Sequence, residues 1–233
     1  MSQPEVYHTE KRNAIERPVT EGVDQETLTV RAYRELEEQI VTMQLRPGAL
    51  LSEATLTAKL GIGRTPIREA LQRLAMEDLV VIMPRRGIMV SEINVSRQLM
   101  LVEARRALET VIMCKAAERA TARQRSAFAE LAQDFERSAN DDDPVAFMRH
   151  DQQLNLMSVD ICRNPYAARM AMMTQGLSRR FWYRYFEETL DLPRCARLHQ
   201  CEAQAIANGD PVAAEIAVRD LMDYTEEFTR ASL

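Results

Sequence analysis

The stretch Leu60-Gly61-Ile62-Gly63-Arg64-Thr65-Pro66-Ile67-Arg68-Glu69-Ala70-Leu71 constrains this chain more than any other. It reads as a tight turn opening directly into a helix whose first residues are polar and basic. Gly61 can take the left-handed conformation that ends a preceding helix, Thr65 can cap the next one, and Pro66 suits its first helical position, where no backbone donor is needed. Ile67, Ala70, Leu71 and Leu74 recur at i, i+3, i+4 and i+7, which predicts one buried stripe. Arg64, Thr65, Arg68, Gln72 and Arg73 then face outward. Guanidinium groups donate in a planar fork and helix N-termini attract anions, so this helix start suits phosphate oxygens and guanine edges. Taken alone it is equally an amphipathic helix with a solvated basic edge.

Its neighbours decide between the two. From Leu28 to Leu45 the residues Tyr33, Leu36, Ile40 and Met43 keep a helical period that Arg46-Pro47-Gly48 ends as a turn. Ser52 can cap a short second helix reaching Leu60. After Asp78 two β-prone runs, Leu79–Met83 and Ile88–Val90, flank the turn Pro84-Arg85-Arg86-Gly87. Three helices and a hairpin with arginines at its tip predict a winged helix-turn-helix, because an unrelated amphipathic helix has no reason to be followed by such a hairpin.

Leu51-Ser52-Glu53, Gly61 to Leu71 and Pro84-Arg85-Arg86-Gly87 resemble the N-terminal domain of GntR-family bacterial transcription regulators over roughly residues 28–92. That resemblance implies homodimeric binding of a palindromic operator, with the recognition helix in the major groove and the wing glycine close to the minor groove. By position the contacts carry over to Arg64, Thr65, Arg68 and Gly87, and the charges Arg85 and Arg86 join them at the wing. Ala54 stands where some members place a base-reading arginine, and Gly63 replaces a frequent serine or threonine.

From Val95 onward no strand pattern is visible, and Ala, Leu, Met, Arg and Glu dominate, all good helix formers. Breaks at Asn140–Pro144, Arg163–Pro165, Asp191–Pro193 and Asn208–Pro211 predict an all-α bundle of about six helices. The fold class expected is therefore mainly α: a tail over 1–26, a winged domain over 27–92 and a helical domain over 93–233. The phrases from Glu103 to Glu109, Asn164-Pro165 and Ala205 to Asp210 resemble the FCD type of C-terminal domain of the FadR subfamily. This implies an effector cavity inside the bundle and dimerisation through the same domain.

Many such domains hold a metal with an aspartate, a histidine four residues later and two further histidines. Here Asp151 and His199 match, but Asn155 replaces the second ligand and Leu221 the last, so no metal and no cofactor is expected. Without the metal charge, a guanidinium must grip an acidic effector. Arg105 can pair on the surface with Glu109 one turn on, or point inward; the resemblance favours inward. A small organic acid held by Arg105 and oriented by Asp151, Asn155 and His199 is the expected effector. The run Arg179 to Phe186 is densely aromatic and reads as core or interface.

Composition removes other classes. A net charge of −5 over 233 residues argues against a nonspecific polyanion binder, although the residues from Gly61 to Ser91 are locally basic. The four cysteines show no paired spacing, so neither a zinc knuckle nor a disulfide framework is expected. No nucleophile elbow or phosphate-binding glycine loop is present, which excludes an enzyme of those kinds and leaves no catalytic residues to name. With no apolar run long enough to span a membrane and no signal-peptide core before Thr29, a cytoplasmic protein without a membrane partner is expected. The expected function is that of an effector-responsive repressor of a catabolic operon. The alternatives are a metal-dependent sensor of the same family and a constitutive architectural DNA-binding protein.

Overall fold

The structure is a computed structural model that describes residues 26–189 and 192–232. The flexible tail expected before residue 26 lies outside the described residues, save Glu26 itself.

The winged domain runs α1 (Leu28–Val41), β1 (Leu50–Leu51), α2 (Glu53–Leu60), α3 (Arg64–Met76), β2 (Val80–Met83) and β3 (Gly87–Val90). Ala32, Leu36 and Ile40 of α1 meet the expected stripe Ile67, Ala70, Leu71 and Leu74 of α3 in one buried cluster. Each leucine or isoleucine side chain among them contributes about 1.5–3 kcal/mol on leaving water. Helix α1 stops earlier than its apolar period predicts. Met43 turns left-handed (φ 60°) and the Leu45 N–H returns to the Gln39 carbonyl at 2.8 Å, so Met43 and Leu45 follow the helix as a turn.

Gly61 ends α2 at φ 66°, as expected. The start of α3 differs from expectation: Gly63, extended, takes the cap position, and the helix already includes Arg64 and Thr65. Thr65 therefore caps nothing. Pro66 sits third instead of first, still within the turn whose N–H groups have no helical partner. Ser52 occupies the cap position of α2 without its hydroxyl closing a capping bond. The sheet has a strand the periodicity did not reveal, since β1 is only two residues long; its order is β1-β3-β2, antiparallel, with Leu50 and Val81 both opposite Met89.

The helical domain comprises α4 (Val95–Arg119), α5 (Ala122–Asn140), α6 (Pro144–Cys162), α7 (Pro165–Thr189), α8 (Leu192–Asn208) and α9 (Pro211–Ala231). Asp143 and Asp210 cap α6 and α9, each accepting two backbone N–H bonds ahead of a proline at the helix start. The break between α4 and α5 carries neither proline nor glycine; Thr121 and Gln124 form a capping box there. Phe128 and Phe135 of α5, Phe147 of α6, Phe181 and Trp182 of α7 and Met222 of α9 share the main core. Among the described residues no helix is long and apolar enough to cross a membrane.

Helix α7 joins the two domains. Arg179 pairs with Glu37 of α1, Arg180 donates to the Ser91 carbonyl at 2.9 Å, and Gly176 lies beneath Leu79. Arg149 of α6 adds an ion pair to Glu38 at 2.6 Å.

Candidate nucleic-acid face and bundle cavity

Arg64, Thr65 and Arg68 lie exposed on the first turns of α3, and Arg85, Arg86 and Gly87 lie exposed in the wing turn. Arg85 (φ 64°) and Gly87 (φ 99°) both take left-handed backbone. A Cβ on Gly87 would stand 3.6 Å from the Leu51 carbonyl oxygen, ordinary contact, so glycine is required by the turn and not by space. Arg68 is held in a fork by Glu53 at 2.9 and 3.0 Å, which keeps the Glu53 carboxyl below its usual range. Among the described residues Arg64, Arg85 and Arg86 have no ion-pair partner. Glu53, which holds Arg68 of α3, and the three wing residues line one open groove, so the Arg68–Glu53 pair stands beside the wing.

The second place is a cavity inside the bundle. Phe147, Phe181, Trp182, Leu221 and Phe228 form its apolar wall; Gln98, Arg105, Asp151, Ser178, Arg179 and His199 form its polar wall. Its volume of about 40 Å³ suits a few water molecules, far below the usual size of an organic ligand site. Arg105 points inward and also pairs with Glu109, through Nε at 2.7 Å and Nη2 at 2.6 Å, while Nη1 donates to Ser178. Both pair members are buried, so the pairing that reads as a surface contact in sequence is enclosed in the core.

His199 Nε2 lies 3.3 Å from Asp151 Oδ1, and its Nδ1 is 2.9 Å from the Cys195 carbonyl oxygen. Burial opposes charge on the imidazole, but Cys195 and the Asp151 carboxylate hold His199 well above the usual histidine range. Burial would likewise raise the Asp151 carboxyl; His199, then Arg179 and Arg105, outweigh it and hold it low. Asn155 does not reach the cavity wall. It is buried behind Asp151, donating to its Oδ1 at 2.8 Å and accepting from Gln175 at 3.0 Å.

These residues do not fit the family's metal site. Asp151 and His199 face each other, Leu221 presents methyl groups where a ligand would be needed, and the Asn155 amide is turned onto Asp151. Among the described residues no three His, Cys, Asp or Glu side chains are grouped to hold a metal ion. His150 faces α5, 2.9 Å from Ser138 Oγ, and Cys201 is exposed.

Sequence reasoning missed Ser178, Glu202 and the part Arg179 plays. Glu202 of α8 is buried with Oε1 lacking a hydrogen bond; burial, against the pull of His199 and with the repulsion of Glu109, pushes its carboxyl to about 8. In sequence it is one more glutamate on a helix. Arg179 belongs to the conspicuous aromatic and basic run, but nothing local says that it crosses to α1.

Comparison with known proteins places both domains. The family model described as bacterial regulatory proteins, gntR family, matches residues 28–90, and the FCD domain model matches residues 100–224. An HTH-type transcriptional regulator in an unstable DNA locus of Streptomyces ambofaciens is 45% identical over 65 residues, 28% of each chain. The HTH-type transcriptional repressor RspR of Escherichia coli (strain K12) is 34% identical over 92 residues, 40% of each chain. The chain thus spans less than half the length of these two relatives. The HTH-type transcriptional regulator Mce2R of Mycobacterium tuberculosis (strain CDC 1551 / Oshkosh) is 26% identical across 91% of this chain and 95% of its own. The solved structure of E. coli McbR/YncC superimposes with a TM-score of 0.76 at 19% identity, covering 89% of this chain and 99% of that one. A putative transcriptional regulator GntR from Rhodococcus sp. RHA1 gives 0.66 at 20% identity, over 88% and 98%. Those two likenesses establish the fold, and the matched families are regulators, not enzymes. The chain belongs to the GntR family of bacterial transcription regulators, with a winged helix-turn-helix followed by an FCD domain.

Proposed function

We propose that this chain is a homodimeric, sequence-specific repressor of a catabolic operon, released from a palindromic operator when its bundle binds a small organic acid. One observation carries the DNA-binding part: three exposed arginines that have no ion-pair partner among the described residues, Arg64, Arg85 and Arg86, flank a fourth, Arg68, held by the half-buried Glu53 carboxylate. Exposed cations whose partner is solvent are available to phosphates and base edges. Apolar side chains left in solvent along α4 (Met100, Val111) and α7 (Tyr166, Met170, Met173) support dimerisation through the bundle. Those helices pack on each other through Ile112, Ala167 and Ala171. A dimer fixes the spacing of two recognition helices on a twofold site.

The acid part rests on Arg105, whose Nη1 donates to the Ser178 hydroxyl in the cavity wall. An entering carboxylate competes with Glu109 for the Arg105 fork, and the cavity must widen to admit it. The test takes an operator selected from random-sequence DNA and measures binding by fluorescence anisotropy, with and without a panel of aliphatic and aromatic acids. Tight binding of the selected sequence over random DNA, weakened by at least one acid, is expected. Equal affinity for both DNAs overturns sequence-specific recognition; an operator complex that no acid weakens overturns the effector class. Sedimentation of a fragment beginning near Ser96 as a folded monomer overturns dimerisation through the bundle.

A further inference from the structure

Arg179 is the wall between the bundle cavity and the winged domain. It lines the cavity beside Asp151 and His199. It also lines a larger cleft of about 210 Å³ between the domains, shared with Tyr33 and Arg73 of the winged domain and Met172 of the bundle. Its guanidinium, itself over nine-tenths buried, is not fully used. One Nη binds Glu37 of α1, whereas Nε lies 3.8 Å from Asp151 Oδ2, beyond hydrogen-bond length, and has no hydrogen-bond partner although it is enclosed. A buried, unpartnered donor beside a cavity is a vacant place for an acceptor.

The surrounding contacts make this residue a lever. A Cβ on Gly176, less than one turn before it on α7, would stand 2.9 Å from Leu79 Cδ1 and 3.4 Å from Glu37 Oε1, so the two domains meet closely at this point. Arg180, the next residue, holds the carbonyl oxygens of Ser91 and Glu92 in the segment leading from the wing to α4. The only other hydrogen bond to the Glu37 carboxylate among the described residues comes from Gln152, at 3.0 Å.

We propose that Arg179 is a ligand-reading residue that couples the cavity to the winged domain: an acceptor oxygen of the bound molecule takes the open Nε bond, and the guanidinium turns from Glu37 toward the cavity. This rests on the organic-acid reading above and adds a second arginine to Arg105 on the polar wall. Paired to Glu37, Arg179 fixes α1 on α7; turned to the ligand, it leaves a buried carboxylate with Gln152 alone, and the seat of the winged domain loosens. The ligand thus has a differential contact with the two arrangements, which is what a shift of population requires.

The experiment follows backbone hydrogen exchange of the full chain in wild type, Glu37→Gln, Arg179→Lys and Arg179→Met, each without and with saturating benzoate or hexanoate. Calorimetry reports acid binding separately. Without acid, Glu37→Gln and Arg179→Met are expected to speed exchange of α1 amides about tenfold while amides of α5 and α8 keep wild-type rates. A binding acid is expected to speed α1 exchange in wild type and to add nothing in Arg179→Met. Unchanged α1 exchange in both ligand-free variants overturns the coupling, as does an acid response in Arg179→Met equal to that of wild type. If neither acid binds wild type, these two acids fail as effectors while the ligand-free variants still judge Arg179. If Arg179→Met does not fold, the near-isosteric Glu37→Gln and the charge-keeping Arg179→Lys decide.

Discussion

The winged domain carries Arg64, Arg68, Arg85 and Arg86 in solvent, whereas the bundle buries Arg105, Arg179 and Arg180 against carboxylates, a hydroxyl and carbonyl oxygens. The same side chain meets two different energetic conditions. On the surface its charge stays hydrated, an ion pair such as Arg68–Glu53 contributes little, and the group remains available to a polyanion. In the interior the charge has lost its water, so each partner becomes obligatory. Burial pulls Arg180 down to about 10, still charged, with the linker carbonyls of Ser91 and Glu92 as its acceptors. Substitutions should therefore separate cleanly: interior arginines should show in stability, exterior ones in DNA affinity.

The largest effect is expected for Arg105→Ala, which strands Glu109 in the core. Urea unfolding at neutral pH should show a loss of about 3–5 kcal/mol, and Arg105→Met combined with Glu109→Leu should recover most of it. A single variant as stable as wild type would break the comparison, because the pair would then be hydrated. For the same reason the role of Arg105 in binding acid is better probed by Arg105→Lys than by truncation.

The next effect depends on pH. Folded Glu202 releases its proton at about 8, against an ordinary value of 4.5, so the folded state binds the extra proton between the two. Stability should be fully present below the lower value and fall as pH rises through 8. His199, also raised, contributes with the same sign. Melting temperatures between pH 6 and 9 should decline in wild type and decline less in Glu202→Gln; parallel curves would contradict the assignment. Asp151 acts at the opposite end, since its lowered carboxyl loses its contribution only as pH falls into the acid range.

On the exterior, Arg64→Ala should cost about 1–3 kcal/mol of operator affinity and relax sequence choice, without moving the melting temperature. Arg86→Ala should weaken operator and random DNA alike and lower the slope of affinity against salt by about 1. Equal losses on both DNAs for Arg64→Ala would remove its base-reading role. The smallest change is expected from Glu53→Gln, which frees Arg68: affinity for any DNA should rise by less than about threefold. A large loss would instead mean that Glu53 holds Arg68 in its working orientation, and the surface pair would then resemble the interior ones.

The exterior was legible from the chain because its determinants are local. Ile67, Ala70, Leu71 and Leu74 mark the inward face of α3, and Arg64 and Arg68 are exposed by the same period. Among the described residues the breaks at Asn140–Pro144, Arg163–Pro165 and Asn208–Pro211 announced themselves through proline, glycine or aspartate, while the one expected at Asp191–Pro193 falls partly outside the described residues. The break at Thr121 did not, because a capping box uses residues that are ordinary inside helices. The cap of α3 was misassigned to Thr65: both Gly63 and Thr65 are acceptable cap types, and only the extended backbone of Gly63 decides.

The cavity was legible only in part. Period and resemblance brought Arg105, Asp151 and His199 to one wall, yet put Asn155 beside them, when a shared helical face says nothing about depth. The sequence by itself determined what short-range sterics and periodicity control: a winged helix-turn-helix, an exposed basic face on it and an all-α domain behind it. Only the tertiary structure decided which charges face each other across helices distant in the chain. Arg105 meets Ser178, Asp151 meets His199, and Arg179 crosses to Glu37 because long-range packing, insensitive to local spacing, removes these groups from water together.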